Sequence, residues 1–445
     1  MKDIDSIMEL LVDRLKAMEI PMWDVYSKTI DVHENQFRNY DLEITRYAVN
    51  TYYIIRTFYD KEDQFGVGVV KANSPDPNHI DSYIKTSQKL AKLNVTSKFN
   101  LPQPGQSYPN IKTAEDKVIA DPEGVLQEKT EILQNVVQDL KQVQPTFGKL
   151  RIYISSKALR NSEDLSLTGS RTSLYLEYPL KAEAAGKLAE FWGRCDVKNS
   201  NQLDLQNRLS HWAGIATASL HTKVPPATKS ITVIFPPNVL RDAFFNTLGS
   251  HSTGRLLSEG ISKFKKGEKV AIDEFTLIDN GLMAGGIAVA NWDGEGNPQR
   301  VNQIIKDGIF ENFLFDQKYA ALKKTKSTGN GLRTADGTIS NSFTNLEINA
   351  GSESLDELIE SVKYGVMIEE FSWLNPSAVT GDFGSEIRNG YLIENGKKKY
   401  SIKGGNLSGN AFEMIKAIEG ASKQRVIEEN YKFPYLKLSG LILSS

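Results

Sequence analysis

The sequence predicts an α+β protein in which helices cover an antiparallel sheet up to about residue 225 and a glycine-dense β region follows. Three observations carry this expectation: strand-like runs interleaved with amphipathic helices in the first half, a Pro225–Pro226 pair after a long helix, and glycine-bearing turns clustered beyond it. On this reading residues 1–225 form an N-terminal domain of helices over antiparallel strands, and residues 226–445 form a C-terminal β-rich domain. A length of 445 residues agrees, since it suggests about two or three domains. With 40% hydrophobic and 24% charged residues, the chain has enough apolar side chains to offset its ordering entropy.

The elements follow in order. Ile4, Ile7, Met8, Leu11, Leu15 and Met18 recur at helical spacing with Asp3, Asp5, Glu9, Asp13 and Arg14 between them, which predicts an amphipathic helix and not a signal peptide. Strands are predicted at 24–33, 40–47, 52–59 and 65–70. The third alternates Tyr52, Ile54, Arg56, Phe58 with Tyr53, Ile55, Thr57, Tyr59, which suits a sheet with one face on helices. A helix at 80–93 precedes a Pro/Gly-rich loop at 101–109. Asp121 and Pro122 open the next helix as N-cap and first-turn proline. Strands return at 150–155, 165–168 and 172–178, and a helix runs over 203–220. Beyond the proline pair lie a strand at 231–235, a helix after Pro236–Pro237, and a hairpin, 390–394 with 397–402, turned by Asn395-Gly396.

Charge and motifs exclude several function classes. Lys+Arg of 53 against Asp+Glu of 55 gives a net charge of −2, so no bulk field draws the chain to DNA or RNA. One cysteine, Cys195, rules out an intrachain disulfide framework and a Cys-based zinc cluster, and makes the cytoplasm the expected compartment. No apolar stretch approaches the ~20 residues of a membrane span. There is no P-loop and no G-x-S-x-G elbow, and Gly66-Val-Gly68 lacks a third glycine. None of the five histidines (His33, His79, His211, His221, His251) stands in an H-E-x-x-H frame. The residues taken alone define no metal site and no enzyme.

A series of short motifs does carry a resemblance. In order they are Asp293-Gly-Glu-Gly296, Ile305-Lys-Asp-Gly308, Ser327-Thr-Gly-Asn-Gly331 with Arg333, Gly351-x-x-Ser354-x-Asp-Glu-Leu-Ile359, 365–371, Asn375-Pro376, Thr380-Gly-Asp-Phe383, 390–396 and Gly405-Asn-Leu407. Together they make the second half resemble the TldD/PmbA family, a metallopeptidase-related group whose older label is modulator of DNA gyrase. The resemblance implies an α+β fold: an N-terminal helix-and-antiparallel-sheet domain, then a larger C-terminal domain with a curved, barrel-like β-sheet. It also implies peptide processing. In the TldD kind, H-E-x-x-x-H and a late cysteine hold zinc, and the glutamate serves as general base. The PmbA (TldE) kind keeps the fold without those ligands and pairs with TldD.

Aligning Gly254 with the family's glycine puts Ser250 and Arg255 at the two histidine positions and His251 at the glutamate, and no cysteine follows Cys195. The expectation is therefore a PmbA/TldE-like subunit with no catalytic residue and no metal of its own, acting on peptides or unfolded proteins. Zinc is expected in a TldD-like partner subunit, with a homodimer as the other assembly and neither nucleic acid nor membrane as partner. Arg255 and Arg333 are the candidate peptide-binding residues, a guanidinium being suited to a peptide carboxylate. The alternatives are a metallopeptidase in its own right, with zinc bound through His251, or a homodimeric peptide-binding scaffold.

Overall fold

The computed structural model describes residues 2–73 and 77–445, and the side chains of residues 2–5 and 77 fall outside the description. Asp3, Ile4 and Asp5 of the predicted first helix are among those. That helix, α1 (Lys2–Ala17), buries Met8, Leu11 and Leu15 against the sheet. The sheet is antiparallel and eight-stranded. Its main strands are β1 (Trp23–Arg38), β2 (Asp41–Lys61), β3 (Gln64–Asn73), β4 (Phe147–Asn161), β5 (Ser166–Ala184) and β6 (Lys187–Val197), in the order β3-β2-β1-β4-β5-β6. Helices α2 (Ile80–Leu93), α3 (Pro122–Asp139) and α4 (Leu205–Ala218) complete this half. Asp121 caps α3 by accepting the Gly124 N–H, with Pro122 in the first turn.

Two sequence expectations change. The strands predicted at 40–47 and 52–59 are one 21-residue strand, β2, continuous because it pairs with β1 through Thr29↔Thr51 without a break at the join. Its first ten residues are exposed. The predicted strands at 165–168 and 172–178 likewise merge into β5. One face of residues 52–58 packs on helices as expected, and the other face is buried as well. Tyr53 and Ile55 face α1 and α2, whereas Tyr52 and Ile54 join Tyr26, Leu159 and Leu165 around Trp292 from the second half of the chain. Gly66 and Gly68 on β3 are where α2 comes closest: a Cβ at either would fall on the backbone of Ala91 or Ser87.

The second half is built on a closed barrel. Strands β7 (Thr228–Phe235), β8 (Tyr364–Phe371), β9 (Asp382–Glu394), β11 (Asn406–Asn410) and β12 (Tyr431–Ser444) form a ring, β7-β8-β9-β11-β12, which closes through β12 and β7. Only the β7–β8 pair is parallel within that ring. Closure removes the sheet edges and lets Val233, Phe235, Val366, Ile368, Ile387, Leu407, Phe433 and Leu438 fill one core. Strand β10 (Lys397–Ile402) is the predicted hairpin partner of β9, with Glu394 opposite Lys397. Asn395 and Gly396 both have positive φ (51° and 74°), as the Asn-Gly turn requires. Helix α5 (Pro237–Phe244) starts at the second proline and passes into a wider π turn, Phe245–Gly249. Among the described residues no helix is long and apolar enough to cross a membrane.

Candidate functional site

Two of the glycine-rich motifs, 293–296 and 327–331 with Arg333, meet at the junction of the two halves. Asp293 Oδ1 accepts the backbone N–H groups of Glu295, Gly296 and Asn297 at 2.8–2.9 Å, and its Oδ2 accepts that of Gly331 at 3.0 Å. Arg333 donates through Nε to the Gly294 carbonyl at 2.9 Å, and its Nη2 lies 3.1 Å from Asp24 Oδ1 on β1. The other oxygen of Asp24 accepts from Arg56 on β2 at 2.8 Å. Burial opposes ionisation of Asp24, but the Arg333 and Arg56 charges prevail and hold its carboxyl below the ordinary range. Nearby, burial reinforced by Asp293 and Asp316 pushes Glu295 up to about 8. Arg333 is thus an interior residue that ties the barrel half to the sheet half.

Ser250, His251 and Arg255 lie just beyond the π turn. Ser250 donates its hydroxyl to the Phe245 carbonyl at 3.1 Å. His251 is fully buried, and both ring nitrogens are engaged. Its Nδ1 accepts the Lys263 N–H at 2.9 Å, which fixes the proton on Nε2, and Nε2 donates to the Ala378 carbonyl at 2.7 Å. Burial lowers its pKa and keeps it neutral. Arg255 is half-exposed and 3.6 Å from Glu259, one helical turn on. A serine engaged with backbone, a histidine without a free lone pair and a guanidinium do not make a zinc cage. Among the described residues no group of three His, Cys, Asp or Glu side chains could hold a metal ion. Cys195 is buried on β6, with its thiol pushed up to about 12 by burial.

A cleft of about 860 Å³ opens between the two halves. One wall comes from β6 and α4, with Trp192, Arg208 and His211. The other comes from α5, the π turn, β8 and the segment after it, with Arg241, Asn246, Glu369 and Trp373. Ion pairs brace it: Arg208 with Glu428 at 2.8 Å across the walls, Arg241 with Glu429 at 2.5 Å, and Arg388 with Glu370 at 3.5 Å. Glu369 is the exception. It is 6% exposed, and no described residue donates a hydrogen bond to its carboxyl. His211 Nε2 stands 3.6 Å away and Lys398 Nζ 4.0 Å away. Burial raises Glu369 to about 7, with only Lys398 opposing, while burial and the Lys398 and Arg208 charges lower His211. Trp373 stands 77% exposed. The sequence reading did not single out these residues. The available signal was Glu369-Glu370, two acids near the end of an otherwise apolar strand.

The barrel half defines the class. Residues 228–445 match the model of the PmbA/TldA metallopeptidase C-terminal domain. The second half of this chain is thus a C-terminal domain of the PmbA/TldD type. The "Metalloprotease TldD homolog" of Buchnera aphidicola is 30% identical over 234 residues, covering 49% of this chain and 47% of that one. Its namesake in Haemophilus influenzae is 33% identical over 155 residues, covering 35% and 32%. The chain thus spans about half the length, or less, of these curated relatives. TldE from Thermococcus kodakarensis superimposes with a TM-score of 0.87 over 98% of this chain and 100% of that one. At 20% identity that likeness is one of fold.

Proposed function

We propose that this chain is a TldE-like subunit that binds a peptide or unfolded segment in the cleft and works beside a TldD-like chain that holds the zinc. The observation that carries the reading is His251, whose two ring nitrogens are both committed to backbone groups. The residues beside it, Ser250 and Arg255, offer neither an anionic nor an imidazole donor. The cleft supports the peptide half of the reading. It combines aromatic surface, at Trp192, Trp212 and Trp373, with exposed polar walls, the mixture an extended chain of varied side chains needs. Half-exposed Arg255, with Glu259 3.6 Å from its guanidinium, is the second candidate contact for a peptide carboxylate.

The test compares hydrolysis of an unstructured peptide by this chain, by a TldD-like chain and by both. Cleavage is expected from the mixture above the level of the TldD-like chain alone, and none from this chain. Chelator-sensitive cleavage by this chain alone, with contaminating proteases excluded, overturns the proposal.

A further inference from the structure

We propose that Glu369, with His211 beside it, is a subsite for a cationic group, the ammonium of a lysine side chain, on a peptide lying in the cleft; this rests on the peptide-binding reading above. The argument starts from what Glu369 lacks. A carboxylate that is nine-tenths buried ordinarily receives several hydrogen bonds, and the other buried acids here do: Asp293 takes at least four and Asp279 takes them from Asn330 and Thr344. Glu369 lines the open cleft with none from a described residue.

Its neighbours do not supply the missing partner. His211, from α4, is 3.6 Å away and held neutral, so it neither repels a cation nor neutralises the carboxylate. Lys398, from β10, stays at 4.0 Å because its ammonium sits over the Tyr391 ring, 4.4 Å from the centroid. Tyr391 on β9 and Tyr435 on β12 also face Glu369, and both are raised in pKa and uncharged. Glu370, the next residue, is taken by Arg388 and by Asn389, whose side-chain N–H donates at 3.0 Å. The other arginines that brace the cleft, Arg208 and Arg241, are likewise committed to Glu428 and Glu429. The site thus offers one acceptor without a donor in the described protein. Two side chains are too few for a metal cage, and an anion would meet a carboxyl. An ammonium with three N–H donors fits the two carboxyl oxygens of Glu369, beside an uncharged imidazole that does not repel it.

Proton linkage gives a second readout. The cation binds the ionised carboxyl, so binding releases a proton wherever Glu369 is protonated in the free protein, and the preference weakens as pH falls below about 7.

The experiment uses three N-acetylated, C-amidated unstructured peptides that differ at one central residue: lysine, acetyl-lysine or norleucine. Binding to the full chain is measured by calorimetry at pH 8 and pH 6. The lysine peptide is expected to bind about tenfold more tightly than the other two at pH 8, by analogy with other charge-assisted hydrogen bonds. The margin should shrink at pH 6 and vanish in Glu369→Gln. Equal affinities of the three peptides overturn the cation subsite and leave the peptide-binding reading standing. Absence of binding by all three overturns both. Should Glu369→Gln not fold, the pH dependence of the lysine margin in the unsubstituted chain decides: a margin unchanged between pH 8 and pH 6 overturns the proposal.

Discussion

Replacing Asp24 with asparagine tests whether the two halves are joined by the buried charges at their junction. Asp24 is 2% exposed and serves two guanidiniums, Arg56, itself 3% exposed, and Arg333. Asparagine keeps the size but removes the charge, leaving both arginines buried without their counter-ion. Breaking a buried pair from one side costs about 3–5 kcal/mol. Unfolding entropy of roughly 2.1 cal/mol/K per residue amounts to about 0.9 kcal/mol/K for 445 residues, so the melting temperature should fall by about 3–5 °C if the chain melts as one unit. Scanning calorimetry at pH 7 measures it. Because the folded carboxyl is held below its ordinary value, its stabilising contribution is fully present above the unfolded pKa, about 4. It is lost as pH falls through the folded pKa. The gap between wild type and variant should therefore be constant from pH 5 to 7 and close only in stronger acid. Asp24→Asn combined with Arg333→Met should cost less than the two single changes summed, since each removes the other's unpaired charge. A melting temperature within 1 °C of wild type, or full additivity, would refute the junction argument.

Three further outcomes follow from the same structure. Glu295, raised to about 8, contributes stability that is fully present below its unfolded pKa and is lost as pH rises through 8, so Glu295→Gln should gain on wild type between pH 6 and 9; a pH-independent difference in melting temperature counts against it. Gly68→Ala puts a methyl on the Ser87 carbonyl and should cost about 1–3 kcal/mol by pushing α2 off the sheet, and an unchanged melting curve shows that the contact is looser than described. His251→Ala strands the Lys263 N–H and the Ala378 carbonyl and should cost about 2–5 kcal/mol. A chelator should leave the wild-type melting temperature unmoved, and a fall on chelation contradicts the role of His251.

Where local chemistry decides the structure, the sequence was readable. Asp121-Pro122 set a helix start, Asn395-Gly396 a hairpin turn, and Pro236-Pro237 the entry to α5. Strand β6 carries an equally local signal: Ala189, Phe191, Gly193, Cys195 and Val197 alternate with polar or exposed positions, after an Ala185-Gly186 turn with positive φ at both residues. Closure of the barrel through β12 and β7 joins residues some two hundred apart in the chain, and no local pattern encodes such a pairing. The two-sided burial of 52–58 likewise depends on Trp292 arriving from the other half. Of the candidate site, the identities at 250, 251 and 255 were legible. The commitments of the His251 ring were not, because its partners are backbone groups of Lys263 and Ala378, whose positions only the tertiary fold determines. Glu369 escaped for the same reason: a missing donor can be seen only when every neighbour is in place.

The braces across the cleft bear on how tightly anything can be held there. Arg208 reaches over to Glu428, and the Glu429 N–H donates to the Asp196 carbonyl at 2.8 Å, so strands from the two halves are stapled beside the opening. Jaws fixed in this way act as a gauge. If the cleft takes a peptide as proposed, such jaws would admit an extended backbone without first having to swing and would exclude a folded domain. A preformed gauge also changes the thermodynamics of capture. The ordering cost falls on the guest and little of it on the host, so affinity should rise when the guest is stiffened in an extended shape, for instance by proline at positions that face solvent.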